Sequence, residues 1–208
     1  MDHDGPPIRP RATHGGKVRP SSPLATAKHS KSKGWSPAPS LRRDPFTNEV
    51  DELLHQTTEL ARQLVPSHQA AAALIVKSEW PDMRKYFSLS PKYANWYEYR
   101  TPAKGIGIHA TVVEENKSIR LTQSELEEHP DFRNFGSESS KHPPMRGWLA
   151  VPILGRDGAN YGLLQLSDKY DDADFSKDDE KKLEQLAKVT AIGLGSLCRQ
   201  YHKHHASL

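Results

Sequence analysis

The chain has 208 residues, 35% hydrophobic and 26% charged, with a formal net charge of +3 and a mean hydropathy of −0.76. That length suits one domain, or a smaller domain with a polar arm. The longest apolar run, Ala70 to Val76, has seven residues where a membrane span needs about 20. The N-terminus lacks the apolar core of a secretory signal, and the single cysteine, Cys198, excludes a disulfide framework and a cysteine-built zinc site. A reducing cytoplasm is the compartment these features imply.

Residues 1–45 carry nine Lys/Arg against three acids, a net +6, with eight of the sixteen prolines. They hold only five Val, Ile, Leu, Met or Phe residues, too few to offset the entropy of ordering, so this segment is expected to be a disordered basic arm. Its charges are scattered and Trp35 is its one aromatic, which points to a solvated linker rather than a nucleic-acid contact. Contact with an anionic partner is the alternative.

Phe46 to Val65 sets Val50, Leu53, Leu54, Thr57, Leu60, Ala61 and Leu64 at steps of three and four, predicting an amphipathic helix that Pro66 ends. Ala70 to Lys77 reads as a strand and Trp80-Pro81-Asp82 as the turn after it. Ser90 is the expected cap, and Pro91 the first-turn proline, of a short helix through Tyr93, Trp96 and Tyr97. Gly105 to Asn116 is expected to be helical with Ile108, Val112 and Val113 buried, and Ser118 to Leu121 a short strand. Thr122-Gln-Ser-Glu125 has the capping-box pattern, and Pro130 closes that helix.

Gly147–Gly155 and Tyr161–Lys169 are apolar strands joined at Arg156-Asp157-Gly158, a hairpin signal. Ser176 caps a last helix, with Asp178, Asp179 and Glu180 in the first turn where the helix dipole favours negative charge. Leu183, Leu186, Ala187, Thr190, Leu194 and Leu197 share one face of it. The element order implies an α+β layer with antiparallel pairing. Residues 46–202 form the domain and 203–208 a frayed tail; His202, His204 and His205 near the terminus read as solvated, with chelation of adventitious metal the alternative.

The segment His142-Pro-Pro-Met-Arg-Gly-Trp-Leu-Ala-Val-Pro-Ile-Leu-Gly, then Tyr161-Gly-Leu-Leu-Gln-Leu-Ser-Asp-Lys, then Phe175-Ser-Lys-Asp-Asp-Glu, resembles the C-terminal half of a GAF domain. Phe87-Ser-Leu-Ser-Pro-Lys-Tyr-Ala-Asn-Trp and Arg120-Leu-Thr-Gln-Ser-Glu-Leu-Glu-Glu-His-Pro resemble the subgroup found in bacterial multidomain sensor histidine kinases. The resemblance spans about residues 48–200. It implies a GAF/PAS-like antiparallel sheet of five or six strands, with short helices around a pocket on one face and the N- and C-terminal helices on the other. Lys169, Phe175, Asp179 and Glu180 also fit the spacing of a motif found in cyclic-nucleotide-binding members, with Asp168 in place of its asparagine. Read physically, Lys169 leaves a strand and Asp179 opens a helix, so their pairing would staple hairpin to helix. That makes the motif structural.

The pocket candidates are His109, Trp96, Tyr99, Arg146, Trp148 and Gln165. His109 is either a structural histidine or a donor to a ligand or haem iron. The aromatics would line an apolar pocket or simply pack the core. Arg146 suits a bidentate anion contact or solvent. Gln165 faces the pocket if Leu164 and Leu166 face the outer helices. Gly105-Ile-Gly107 lacks the preceding strand that a dinucleotide fingerprint requires.

A cyclic nucleotide and haem are the cofactor classes the resemblance admits. Cys198 is out of position for a covalent bilin and too isolated for the multi-cysteine chemistry of the GAF-type methionine sulfoxide reductases, so no enzymatic activity is expected. Val189 and Ile192 lie off the main apolar line of the last helix, a second face that calls for a homodimer through the terminal helices. The expectation is a sensory or regulatory module that binds an unknown small molecule and signals to a partner protein. The alternative is a ligand-free dimerisation and docking scaffold.

Overall fold

The computed structural model describes residues 45–76, 79–97, 107–132 and 142–205. The basic arm (apart from Pro45), Lys77 and Tyr99 lie outside the described residues, as does the entry to the Gly105 helix. Helix α1 covers Pro45–Leu64, strand β1 Ser67–Val76 and β2 Glu79–Leu89, followed by a 3-10 helix at Pro91–Trp96. Next come α2 (Ile108–Glu115), β3 (Ile119–Leu121), α3 (Gln123–Glu128), β4 (Trp148–Leu154), β5 (Asn160–Lys169) and α4 (Lys177–His205).

The five strands form one sheet in the order β2-β1-β5-β4-β3, every neighbouring pair antiparallel. β1 and β5 are central, with Ala71 opposite Gln165 and Gln165 opposite Ala150. Gly162 makes the β1–β5 approach possible: its φ is +140°, and a Cβ there would lie 1.8 Å from the Ala73 carbonyl oxygen.

Side chains alternate across this sheet. Ala70, Ala72, Leu164, Leu166, Leu149, Val151 and Ile153 are buried with Leu54, Ala61, Leu183, Ala187 and Leu194 of the two long helices. Ala73, Leu163, Trp148 and Ala150 are buried on the opposite face with Ile108, Val112 and Leu126 of the short helices. α1 and α4 run antiparallel. Phe46 meets Tyr201 with ring centroids 4.7 Å apart, and the hydroxyls of Thr57 and Thr190 lie 3.3 Å apart. Thr190 donates to the Leu186 carbonyl at 2.8 Å, so Thr57 is the donor of this pair, and both interruptions of the apolar stripes are satisfied inside the helix pair. At Gly193 a Cβ would sit 2.9 Å from Leu53 Cδ2, so the glycine allows the helices to close.

The strand β2 departs from the sequence reading. Trp80-Pro81-Asp82, read as a turn, lies within it. Proline withholds only a backbone N–H, which is tolerated because β2 is an edge strand. Ser90 precedes the short helix as expected, but its hydroxyl makes no cap bond; it lies 2.7 Å from Nδ1 of His68 instead. α4 continues through His205, so residues 203–205, read as tail, are helical. The Thr122 capping box is complete, with Glu125 N–H donating to Thr122 Oγ1 at 3.2 Å and Thr122 N–H to Glu125 Oε2 at 2.8 Å. No described helix is long and apolar enough to cross a membrane.

Candidate functional site

On the sheet face away from α1 and α4, alternation brings Gln69 and Ala71 of β1, Lys85 and Phe87 of β2, and Gln165 and Ser167 of β5 to one surface. The segment His142, Pro143 and Met145 closes over them, leaving a cavity of about 20 Å³. A cavity of that measure holds one or two water-sized groups. Among the described residues it has room for the head group of a small ligand.

The polar side chains around it are tied down in a graded way. Gln69 donates to the Pro144 carbonyl at 2.6 Å. The Ser167 hydroxyl accepts from the Arg146 N–H at 2.9 Å and donates to the Gly147 carbonyl at 3.0 Å. Gln165 Oε1 accepts from the Trp148 indole at 3.2 Å, which leaves its amide nitrogen to donate. Lys85 is different. Burial pushes its ammonium down to about 8, and among the described residues no carboxylate lines the cavity and no acid forms an ion pair with it.

His109 stands behind this surface, its ring edge-on to Trp148 at 5.5 Å. Its Nε2 is buried with no hydrogen-bond partner. Burial, then the charge of Lys85, push it down to about 3 against a weaker opposing pull from Gln165. The same two causes lower His142 to about 4. Two neutral imidazoles therefore accompany one poorly solvated cation.

The expected pocket residues divide accordingly. Gln165 lines the cavity, and its neighbours Leu164 and Leu166 face the long helices. Trp148 is completely buried in the core and reaches the cavity only through its bond to Gln165. Trp96 is half-buried against Tyr93, ring centroids 5.7 Å apart. Arg146 is exposed and pairs with Asp172, outside the cavity lining. Lys85, His142, Gln69 and Ser167 were not singled out by the sequence. Lys85 and Phe87 were legible only as alternate positions of a strand, and that strand was missed.

The motif residues sit at the end of β5. Asp168 adopts φ +60°, a left-handed conformation that Asp and Asn tolerate better than most residues. Its buried Oδ2 accepts from Lys92 Nζ at 2.5 Å and the Tyr93 hydroxyl at 2.6 Å, while Oδ1 is buried without a partner. Lys169 Nζ reaches Asp179 Oδ2 at 3.2 Å. Ser176 N–H donates to that oxygen at 2.8 Å, and Asp179 N–H donates back to Ser176 Oγ at 3.1 Å. Burial raises the Asp179 carboxyl, but these donors outweigh it and hold the group below its ordinary value. Arg120 completes the junction through the Phe175 carbonyl and Glu180, at 2.9 and 3.2 Å. No group of three His, Cys, Asp or Glu side chains that would hold a metal occurs among the described residues.

Comparison with curated proteins gives no match. Among solved structures, the chain is similar to the GAF domain of a phosphoenolpyruvate-protein phosphotransferase from Coxiella burnetii, at 18% identity and a TM-score of 0.57 over 76% of this chain and 92% of that one. It is also similar to residues 122 to 287 of a methyl-accepting chemotaxis protein, at 11% identity and 0.58 over 73% and 95%. A third is the type II free methionine-R-sulfoxide reductase of Thermoplasma acidophilum, at 14% identity and 0.53 over 73% and 96%. At these identities the likeness speaks for the fold. The GAF domain model matches residues 49–194, most of the chain, and with the five-stranded sheet between long and short helices the chain belongs to the GAF domain family.

Proposed function

We propose that this GAF domain is a sensory or regulatory module that binds a small molecule on the open face of its sheet and signals through α1 and α4. The observation that carries this reading is the cavity formed by Lys85, Gln165 and His142, on the same three strands whose opposite face holds the long helices. A shift in β5 at Gln165 is felt at once by Leu164 and Leu166, which pack under those helices. Ligand occupancy would bias their arrangement by favouring one of two packings.

The output surface we assign is a second copy of this chain. Leu53 and Thr57 touch α4, and Leu60 and Leu64 continue that side of α1 outward with 50% and 41% of their surface exposed. Val189 and Ile192 flank the same seam on α4 at 65% and 52%. Four large apolar side chains along one seam form a surface suited to helix pairing. The resemblance to the domains of bacterial sensor histidine kinases supports the same signalling reading. We take the module to be non-catalytic: its one cysteine, Cys198, lies on α4, across the sheet from the cavity.

The modest cavity volume favours a second reading, a ligand-free domain used for dimerisation and docking. A native mass spectrum of the freshly purified full chain separates the two. A dimer carrying extra mass that leaves on unfolding supports the sensor. A dimer at bare protein mass, unchanged in melting temperature by a metabolite panel, supports the scaffold. A monomer overturns the assignment of the α1/α4 seam.

A further inference from the structure

Among the described residues Lys85 is the one cation lining the cavity. Burying a charge without a partner is costly, and such groups are normally paired. Among the described residues other buried or half-buried charges are paired: Asp168 with Lys92, Lys169 with Asp179, Arg120 with Glu180. Lys85 has none among the described residues. The described residues around it add hydrogen-bond donors and no competing negative charge. Gln165 Oε1 accepts from the Trp148 indole, so its amide nitrogen is the donor end of that side chain. The two histidines near Lys85 are neutral and add no second positive charge. Phe87, Met145 and Pro143 supply an apolar wall.

One cation, one oriented amide donor, a water-scale volume and an apolar wall describe a monoanionic, planar, two-oxygen head group on a small apolar body. We propose that the cavity binds the carboxylate of a small aliphatic or aromatic monocarboxylic acid, with Lys85 as its counter-ion and Gln165 as the donor that sets its orientation. This rests on the reading of the cavity as the ligand site. Phosphate fits less well, because its larger tetrahedral dianion would face a single positive charge.

The test uses the full chain at constant ionic strength in chloride, with isobutyrate and benzoate as probes, and isobutyramide, benzamide and inorganic phosphate as controls. Melting temperature and calorimetric titration are the readouts. The proposal expects the carboxylates to stabilise the protein and the neutral amides to do so at least about tenfold less strongly, as follows from losing a charge-assisted hydrogen bond. Lys85→Met is expected to fold and to melt higher than the parent in the absence of probe, because it removes a buried charge that no described residue compensates. The same variant should lose carboxylate binding about tenfold or more, and Gln165→Leu should weaken it to a lesser degree.

Equal binding of amide and carboxylate, or carboxylate binding that survives Lys85→Met, overturns the carboxylate assignment while leaving the cavity as a ligand site. Preference for phosphate over both carboxylates overturns it in the same way. If native mass spectrometry finds no retained ligand and no probe or metabolite shifts either the parent or Lys85→Met, the ligand-site reading itself fails and the proposal falls with it.

Discussion

The helix-facing side of the sheet is closed: Leu149, Val151, Leu164, Leu166 and Leu183 are completely buried, and its internal hydroxyls are satisfied, Thr57 donating to Thr190 and Thr190 to the Leu186 carbonyl. The other side holds an imidazole nitrogen and a lysine that have no hydrogen-bond or ion-pair partner among the described residues, and a cavity that the lysine lines. Both sides are made by the same strands, often by consecutive residues. Unsatisfied polar groups cost stability wherever they occur. Apart from Asp168 Oδ1 at the end of β5, those among the described residues lie on the open face, which marks it as the face kept for something other than holding the fold together. What the contrast teaches is a division of labour at single-residue resolution along β5, with Leu164 and Leu166 on the structural side and Gln165 on the other.

Measurements on the two faces should differ in size and in kind. Leu164→Ala removes a fully buried side chain beneath α1 and α4 and should cost about 2–5 kcal/mol by chemical denaturation. A cost below about 1 kcal/mol would mean that this face is loosely packed and that the contrast is false.

Acid should act mainly through the open face. His109 is held down to about 3 in the fold and lies near 6.5 when unfolded. Between those values the unfolded chain binds more protons, so stability rises with pH across the window and is lost as pH falls. At pH 5 this amounts to about 2 kcal/mol. The charged and titratable neighbours, Lys85 and His142, act in the same direction. Melting curves from pH 7 to 5 should therefore show a falling Tm that His109→Asn makes shallower. An unchanged slope would place His109 in solvent.

At the junction of β5 and α4, Lys169 and Asp179 are 14% and 11% exposed. Lys169→Ala should cost about 1–2 kcal/mol, between the values for exposed and fully buried pairs. Urea midpoints would show it, and no loss would reduce the staple to a surface contact. Arg146→Ala should have the smallest effect, under about 1 kcal/mol, because both members of its pair with Asp172 are exposed. A larger destabilisation would show that this arginine holds the rim of the open face, where the structure shows only a surface pair.

Local chemistry made much of this readable from one chain. The capping box at Thr122, the turn at Arg156-Asp157-Gly158 and the reciprocal Ser176/Asp179 cap at α4 are satisfied within a few residues, so their signals are written contiguously. α1 and α4 were legible because apolar residues every three or four positions leave few alternatives. The site was legible in part. Gln165 was found by strand alternation, whereas Arg146 and Trp148 were drawn by residue type to a place where one is exposed and the other is core. Lys85 was missed because Pro81 and Asp82 read as a turn, and only the edge position of β2 makes a proline acceptable there.

The sequence by itself determined the family, the helical ends of the domain, the β4–β5 hairpin and the helix caps, since each depends on neighbours close in the chain. Tertiary structure alone decided which face of each strand is wet and what meets across it. Lys85, Gln165 and His142 come together through strand order β2-β1-β5 and a segment from before β4, a juxtaposition with no local signature. Whether Lys85 has a counter-ion is a property of that assembly, because compensation of a charge depends on what lies within a few ångströms in space and not on what lies beside it in the chain.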